Sequence, residues 1–280
     1  MTRRPFKPIK HLSSSDPLVR ALYGIAAPVG RYFRVDLQGA ERIPREGGVM
    51  LVGNHALLGV DSWALLPELL KQVERVPRGM ALRKLFDIPL VGRTLERAGM
   101  VPGKREHAVE LLEREEMVLT YPGGARDSLK GRNERYQLKW DRRTGFAHVA
   151  IQAQRPILPI VGAGPDECFR LLLEDGILPM RNLSEASTLK VPIFIPVARR
   201  IPFSFLVGDL ISPPEPLPKD APKEAQIDHA RAFAKDVREQ TQRLLDQHVE
   251  RYQAEQEEPI TQETRTGLRQ LLLTTLQRTG

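Results

Sequence analysis

The stretch Leu51-Val52-Gly53-Asn54-His55-Ala56-Leu57-Leu58-Gly59-Val60-Asp61 is where this sequence offers acid–base chemistry. A carboxylate bonded to one imidazole nitrogen of a histidine leaves the other nitrogen as a general base. His55 and Asp61 have the residue types for that pair. On a continuous helix their separation would place them ~120° apart, so they meet only across a turn. Gly59 is the residue that permits one. A plainer reading is also open at this point, with His55 a loop histidine and Asp61 only a helix cap.

The flanking segments suggest how such a pair would be held. Gly48 to Val52 is a short apolar run that reads as a buried strand, and Gly53-Asn54 breaks it. Ser62 to Leu70 reads as a helix with Asp61 in the capping position. His55 then lies between the carboxyl end of a strand and a helix, the usual place for a site in an open α/β sheet.

A second stretch, Tyr121-Pro122-Gly123-Gly124-Ala125-Arg126-Asp127, follows the apolar run Met117 to Tyr121. A strand emptying into adjacent glycines exposes backbone N–H groups and lets a ligand approach the backbone. Arg126 can grip a phosphate or carboxylate bidentately, and Lys130, Arg132, Arg135 and Lys139 follow closely. An ordinary turn followed by a solvated charge run accounts for the same residues.

Around these stretches the chain alternates. A basic arm (Arg3, Arg4, Lys7, Lys10) precedes a helix opened by Asp16-Pro17, which Pro28 is expected to end or kink. Its apolar residues go nearly all round, which fits either an interfacial helix on anionic lipid or a helix docked on the core. Strands are expected at Phe33 to Leu37, Gly79 to Leu82, Gly99 to Pro102, Ile157 to Val161, Val191 to Val197 and Phe203 to Leu210. Helices are expected at Leu85 to Ala98, Arg105 to Glu116, Thr144 to Ala153, Ala225 to Tyr252 and Gln262 to Thr279. The alternation argues for an α/β fold: a mixed, largely parallel sheet flanked by helices.

Composition narrows the function classes. The net charge is +7 and the pI about 9.7, which suits anionic lipid, nucleic acid or a phosphorylated substrate. Aromatic residues are 6% of the chain and no zinc-finger, RRM-like or KH-like pattern occurs, so a nucleic-acid partner is not expected. Cys168 is the single cysteine, placed beside Phe169 and expected in the core, so no disulfide can form within the chain. There is no apolar run of spanning length and no signal-peptide core, so a cytoplasmic, peripheral membrane protein is expected. No Gly-x-Ser-x-Gly elbow, Walker loop or Gly-x-Gly-x-x-Gly is present, and His55, His107 and His148 lack metal-ligand spacing. If His55 is a base, the nucleophile it serves must come from the substrate.

Asn54-His55 with Asp61, Tyr121 to Asp127, and Ile157-Leu158-Pro159-Ile160-Val161-Gly162 follow one another as the motifs of the lysophospholipid/glycerolipid acyltransferase superfamily do. The chain resembles most its monoacylglycerol/diacylglycerol acyltransferase-like branch, which includes phytyl ester synthases. Phe86-Asp87-Ile88-Pro89, Gly99-Met100-Val101-Pro102 and Arg105-Glu106 resemble that branch too, and the likeness covers roughly Val35 to Phe169.

The resemblance implies acyl transfer from an acyl thioester to a hydroxyl, with His55 as base and Asp61 as its partner. It implies that Asn54, Gly123, Gly124, Arg126 and Pro159 line the substrate pocket, with backbone N–H groups near Gly123-Gly124 receiving the oxyanion. It implies acyl-CoA or acyl carrier protein as donor and a lipid alcohol as acceptor; no cofactor and no metal are expected, and the net charge and basic arm make an anionic membrane surface an expected partner. Five residues separate His55 from Asp61 where most of the superfamily has four. Gly123 and Ala125 stand where the glycerophosphate-acylating enzymes carry Glu and Thr, which favours a neutral acceptor over 1-acylglycerol-3-phosphate. The alternatives are a lysophospholipid acyltransferase, a non-catalytic membrane lipid-binding protein and a thioester hydrolase. The expected organisation is a basic arm and possible membrane-contact helix at 1–34, an acyltransferase domain at 35–211 and a C-terminal helical extension at 212–280.

Overall fold

The computed structural model describes residues 12–181, 188–218 and 220–257. Helix α1 (Pro17–Tyr32) is capped by Asp16, which accepts the N–H of Leu18 at 2.8 Å, with Pro17 in the first turn. Pro28 neither ends nor breaks it. Pro28 and Gly24, whose carbonyl loses its helical donor, both lie on the exposed side, where water can serve that carbonyl. The opposite side, with Val19, Tyr23 and Gly30, packs on α2 (Val60–Val73). The helix is therefore docked on the core, while Leu18 and Ile25 remain exposed. Among the described residues no helix is long and apolar enough to cross a membrane.

Strands β1 (Asp36–Gln38), β2 (Val49–Val52) and β3 (Arg78–Ala81) come next, followed by helices α3 (Arg83–Phe86) and α4 (Pro89–Arg97). Pro89 starts α4 rather than interrupting a longer helix, because its missing N–H costs nothing in a first turn. Then follow β4 (Val101–Pro102), α5 (Arg105–Glu113), β5 (Met117–Thr120), the single turn α6 (Ala125–Ser128), α7 (Gly145–Ala153) and β6 (Ile157–Ala163). A separate antiparallel hairpin, β7 (Arg170–Arg181) with β8 (Thr188–Ile195), precedes β9 (Ser204–Val207) and the long helix α8 (Lys223–Glu257).

The main sheet has the order β1-β9-β6-β2-β5-β3-β4. Every neighbouring pair is parallel except β6 with β9. This is the expected mixed, largely parallel sheet. Successive side chains of a strand point to opposite faces, and both faces are covered, so the central strands are apolar throughout. Met50 and Val52 of β2 face the cluster formed with α5, α7 and α8, whereas Val49 and Leu51 face the cluster formed with α2. Helix α8 buries Phe233, Val237, Leu245 and Val249 in the first cluster. Strand β7 is absent from the sequence-based expectation. Its Leu171-Leu172-Leu173 run gives way to Glu174-Asp175-Gly176, and its pairing with β8 shifts register twice, so no regular alternation marks it. The basic arm up to residue 11 and the helix expected at 262–279 lie outside the described residues.

Candidate active site

Strand β2 ends at Val52, and Gly53 must follow because a side chain there would collide with the carbonyl of Ile160 on β6. Asn54 then turns inward. Its Nδ2 donates to Gly162 O at 2.9 Å and its Oδ1 accepts Gly162 N–H at 2.8 Å, clasping the loop to β6. A short 3₁₀ turn, Leu57–Gly59, reverses the chain with Leu58 at φ 59° and Gly59 at φ 67°. This turn brings His55 and Asp61 together, with His55 Nδ1 3.0 Å from Asp61 Oδ2. Asp61 is not the helix cap. It lies in the first turn of α2, and Gly59 occupies the cap position without a side-chain bond. The second oxygen, Oδ1, accepts the N–H of Ala56 at 3.1 Å, so both carboxylate oxygens are committed to holding the histidine loop.

Three groups outside this pair complete the site. Tyr121, at the end of β5, stacks on the His55 ring with centroids 4.2 Å apart and planes 13° apart. Its hydroxyl accepts from Ser62 Oγ at 3.2 Å, which ties it to α2. Asp127, fully buried, accepts the backbone N–H of His55 at 3.1 Å and that of Lys139 at 3.1 Å. Buried Lys130 lies 3.6 Å from Asp127 and 2.9 Å from Asp166. A carboxylate–ammonium–carboxylate cluster thus supports the loops after β2, β5 and β6 from below. The sequence places Asp127 and Lys130 in a polar run. An Asp-x-x-Lys spacing reads equally as an exposed ion pair, so only the loop packing identifies them.

The charges in the site favour an ion pair. Burial pushes the His55 pKa down, but the Asp61 carboxylate, bonded to the ring, and Asp127 outweigh it, and the net result lies above 6.5. Burial pushes Asp61 up, but His55 and the Ala56 N–H bring it below the ordinary 3.8. Burial raises the Tyr121 hydroxyl well above its usual value, so it is a neutral phenol. Burial also raises Asp127, against the pull of Lys130. Burial opposes the charge of Lys130, yet Asp166 and Asp127 carry its pKa above 10.5.

His55 opens on a cleft of about 1950 Å³. Among the described residues no protein group bonds its Nε2. Gly124, Ala125 and the exposed Arg126 also line the cleft; Asn54, Gly123 and Pro159 do not. Asn54 is spent on Gly162. Gly123 is buried where a Cβ would strike Asp127 and Trp140, so its role is to admit that carboxylate. Pro159 sits within β6 opposite Val52. The Gly124 N–H is likewise taken, donating to Tyr121 O at 2.9 Å, and the next N–H groups along, those of Ala125 and Arg126, have no partner among the described residues. His107 is a packing histidine bonded to Pro102 O, and Cys168 is buried with its thiol pushed up to about 12 by burial. Among the described residues no group of three His, Cys, Asp or Glu is placed to hold a metal ion.

Residues 34–162 match the family model Acyltransferase. The chain is 32% identical over 137 residues to the DGAT1/2-independent enzyme synthesizing storage lipids of Bos taurus, covering 49% of this chain and 41% of that one. It is 30% identical over 147 residues to phytyl ester synthase 1 of Arabidopsis thaliana, covering 49% of this chain and 20% of that one. It thus spans less than half the length of either relative. The crystal structure of the 1-acyl-sn-glycerophosphate acyltransferase PlsC of Thermotoga maritima superposes with a TM-score of 0.45 at 16% identity, covering 79% of each chain. The segment that carries His55, Asp61 and Arg126 lies wholly inside the matched region.

Proposed function

We propose that this chain is an O-acyltransferase that moves a fatty acyl group from an acyl thioester, with acyl-CoA as donor, to the hydroxyl of a neutral lipid alcohol at a membrane surface. The observation that carries the reading is the His55–Asp61 pair at 3.0 Å, with Nε2 left for a substrate in the cleft. In this reading Nε2 takes the acceptor hydroxyl proton as the oxygen attacks the thioester carbonyl. Asp61 holds Nδ1–H and stabilises the imidazolium that forms. As the tetrahedral intermediate collapses, the C–S bond breaks and the imidazolium returns the proton to the thiolate, releasing thiol and ester. The free N–H groups of Ala125 and Arg126 are the donors for the oxyanion, each such donor being worth about 3–4 kcal/mol.

A neutral acceptor is favoured by Gly123 and Ala125, which leave the loop after β5 without polar side chains before Arg126. The names of the relatives, storage-lipid and phytyl ester synthesis, point the same way. Arg126 favours the competing reading, a lysophospholipid acyltransferase, because a single exposed arginine can grip a phosphate bidentately. Equal amounts of lysophosphatidic acid and a monoacylglycerol in mixed micelles, with one acyl thioester, separate the two. Higher kcat/KM for the monoacylglycerol is expected, and a preference for the phosphorylated acceptor overturns the acceptor assignment. A membrane location is supported by the net charge of +7 and the exposed Leu18 and Ile25 of α1.

A further inference from the structure

The cleft that holds His55 differs in chemistry from end to end. Toward α1 and α2 it is lined by Leu22, Trp63 and Leu66; past β3, Leu82 and Leu85 line it together with Arg83 and Lys84. At the far edge of the sheet Lys104, Arg105 and Arg142 line it. All three are exposed, and among the described residues none of their side chains has an ion-pair or hydrogen-bond partner. Arg105 lies over the start of α7, its Nε 3.4 Å from where a Cβ on Gly145 would stand. Its charge also helps, after burial, to hold the neighbouring His148 below 6.5.

The sheet sets how far this cluster lies from His55. Strands β2, β5, β3 and β4 lie side by side with aligned carboxyl ends: Val52 opposite Thr120, Leu119 opposite Gly79, and Ala81 opposite Pro102. His55 follows β2 and Lys104 follows β4, so three strand spacings, about 14 Å, separate their loops. Arg126 follows β5, a single spacing of about 5 Å from β2.

We infer that Lys104, Arg105 and Arg142 form the seat for the phosphate of a phosphopantetheine thioester whose acyl carbon lies at His55. In phosphopantetheine about thirteen bonds join sulfur to phosphorus, and an extended chain advancing about 1.2 Å per bond spans about 15 Å. That length matches the separation set by the sheet. A glycerol phosphate acceptor has about four bonds between its attacking oxygen and phosphorus, about 5 Å, so its phosphate reaches Arg126 and not this cluster. The acyl chain is left the apolar limb toward α1 and α2, lined by Leu22, Trp63 and Leu66. The inference rests on the assignment of His55 as the reacting centre, and the seat is shared chemistry of acyl-CoA and an acyl carrier protein.

The experiment compares wild type with the Lys104→Ala/Arg105→Ala double variant on two donors: an acyl-CoA and the same acyl group on N-acetylcysteamine, which lacks the phosphates. The ratio of their kcat/KM values is expected to fall about tenfold or more in the variant, through KM for acyl-CoA, as loss of charge-assisted phosphate bonds requires. Calorimetric binding of CoA, measured without turnover, is expected to weaken by a similar factor. An unchanged ratio together with unchanged CoA affinity overturns the seat. Competition by both pantetheine 4′-phosphate and adenosine 3′,5′-bisphosphate supports the seat with CoA as donor; competition by the first alone supports it with a carrier protein. Competition by neither overturns it. The calorimetric arm needs no acyl transfer, so failure of the seat is distinguishable from failure of the proposed reaction, which shows as wild type transferring from neither donor.

Discussion

The Asp127 carboxylate accepts the backbone N–H of His55 at 3.1 Å across 72 positions of sequence, fixing the histidine loop from the loop that carries Arg126. The same carboxylate holds Lys139 N–H and faces Lys130, whose other partner is Asp166. Removing one partner of a buried ion pair strands the other, at a cost of about 3–5 kcal/mol. Lys130→Met would leave Asp127 and Asp166 facing each other. Its unfolding free energy, from a denaturant titration, is therefore expected to fall by about that amount, and a change below 1 kcal/mol would contradict the buried cluster.

His55→Ala is expected to remove about 10⁴-fold of the turnover and to lower stability as well, because it leaves the buried Asp61 carboxylate without its ring partner and Tyr121 without its stacking partner. Asp61→Asn is expected to cost less, about 10²–10³-fold, through misorientation of the imidazole. Steady-state kinetics beside thermal melts of both variants check the order.

His55 must be neutral to accept a proton, so activity rises with pH as it deprotonates. Its pKa is raised above 6.5, so the acid limb of kcat/KM is expected above that value, and in Asp61→Asn it should move down. The raised value also fixes the sign for stability. The contribution of the imidazolium is fully present below pH 6.5 and is lost as pH rises through the folded-state pKa. A limb at or below 6.5 in wild type would contradict the pairing seen here.

Gly59 has φ 67° and no side chain to clash with, the nearest atom to a built Cβ being His55 Cε1 at 3.5 Å. Gly59→Ala thus tests the turn by strain alone. A loss of about 1–2 kcal/mol in unfolding free energy is expected, the cost of the left-handed region for a residue with a Cβ. No loss would mean that the turn tolerates another conformation.

The strands and helices of the sheet are largely legible in the sequence, because runs such as Val49–Val52 and Met117–Thr120 are apolar on both faces and bounded by glycine or polar turns. The His55–Asp61 pair is legible too, since Gly59 marks the turn that joins it. The supporting cluster is not. Asp127, Lys130 and Asp166 owe their burial to three loops packing together, and local pattern carries no trace of that contact. Asn54 and Pro159 show the converse. Motif position associates them with the pocket, while their atoms serve Gly162 and the interior of β6. Pro28 misleads because its exposure, not its identity, decides whether the helix continues.

The central claim is acyl transfer by His55. Purified wild-type and His55→Ala proteins, both verified as folded, are incubated with an acyl-CoA and a panel of lipid alcohols, and the products are separated into ester and free acid. Ester from wild type and none above background from His55→Ala is the predicted result. Ester formed at near-wild-type rate by His55→Ala, or free acid as the main wild-type product, would contradict it.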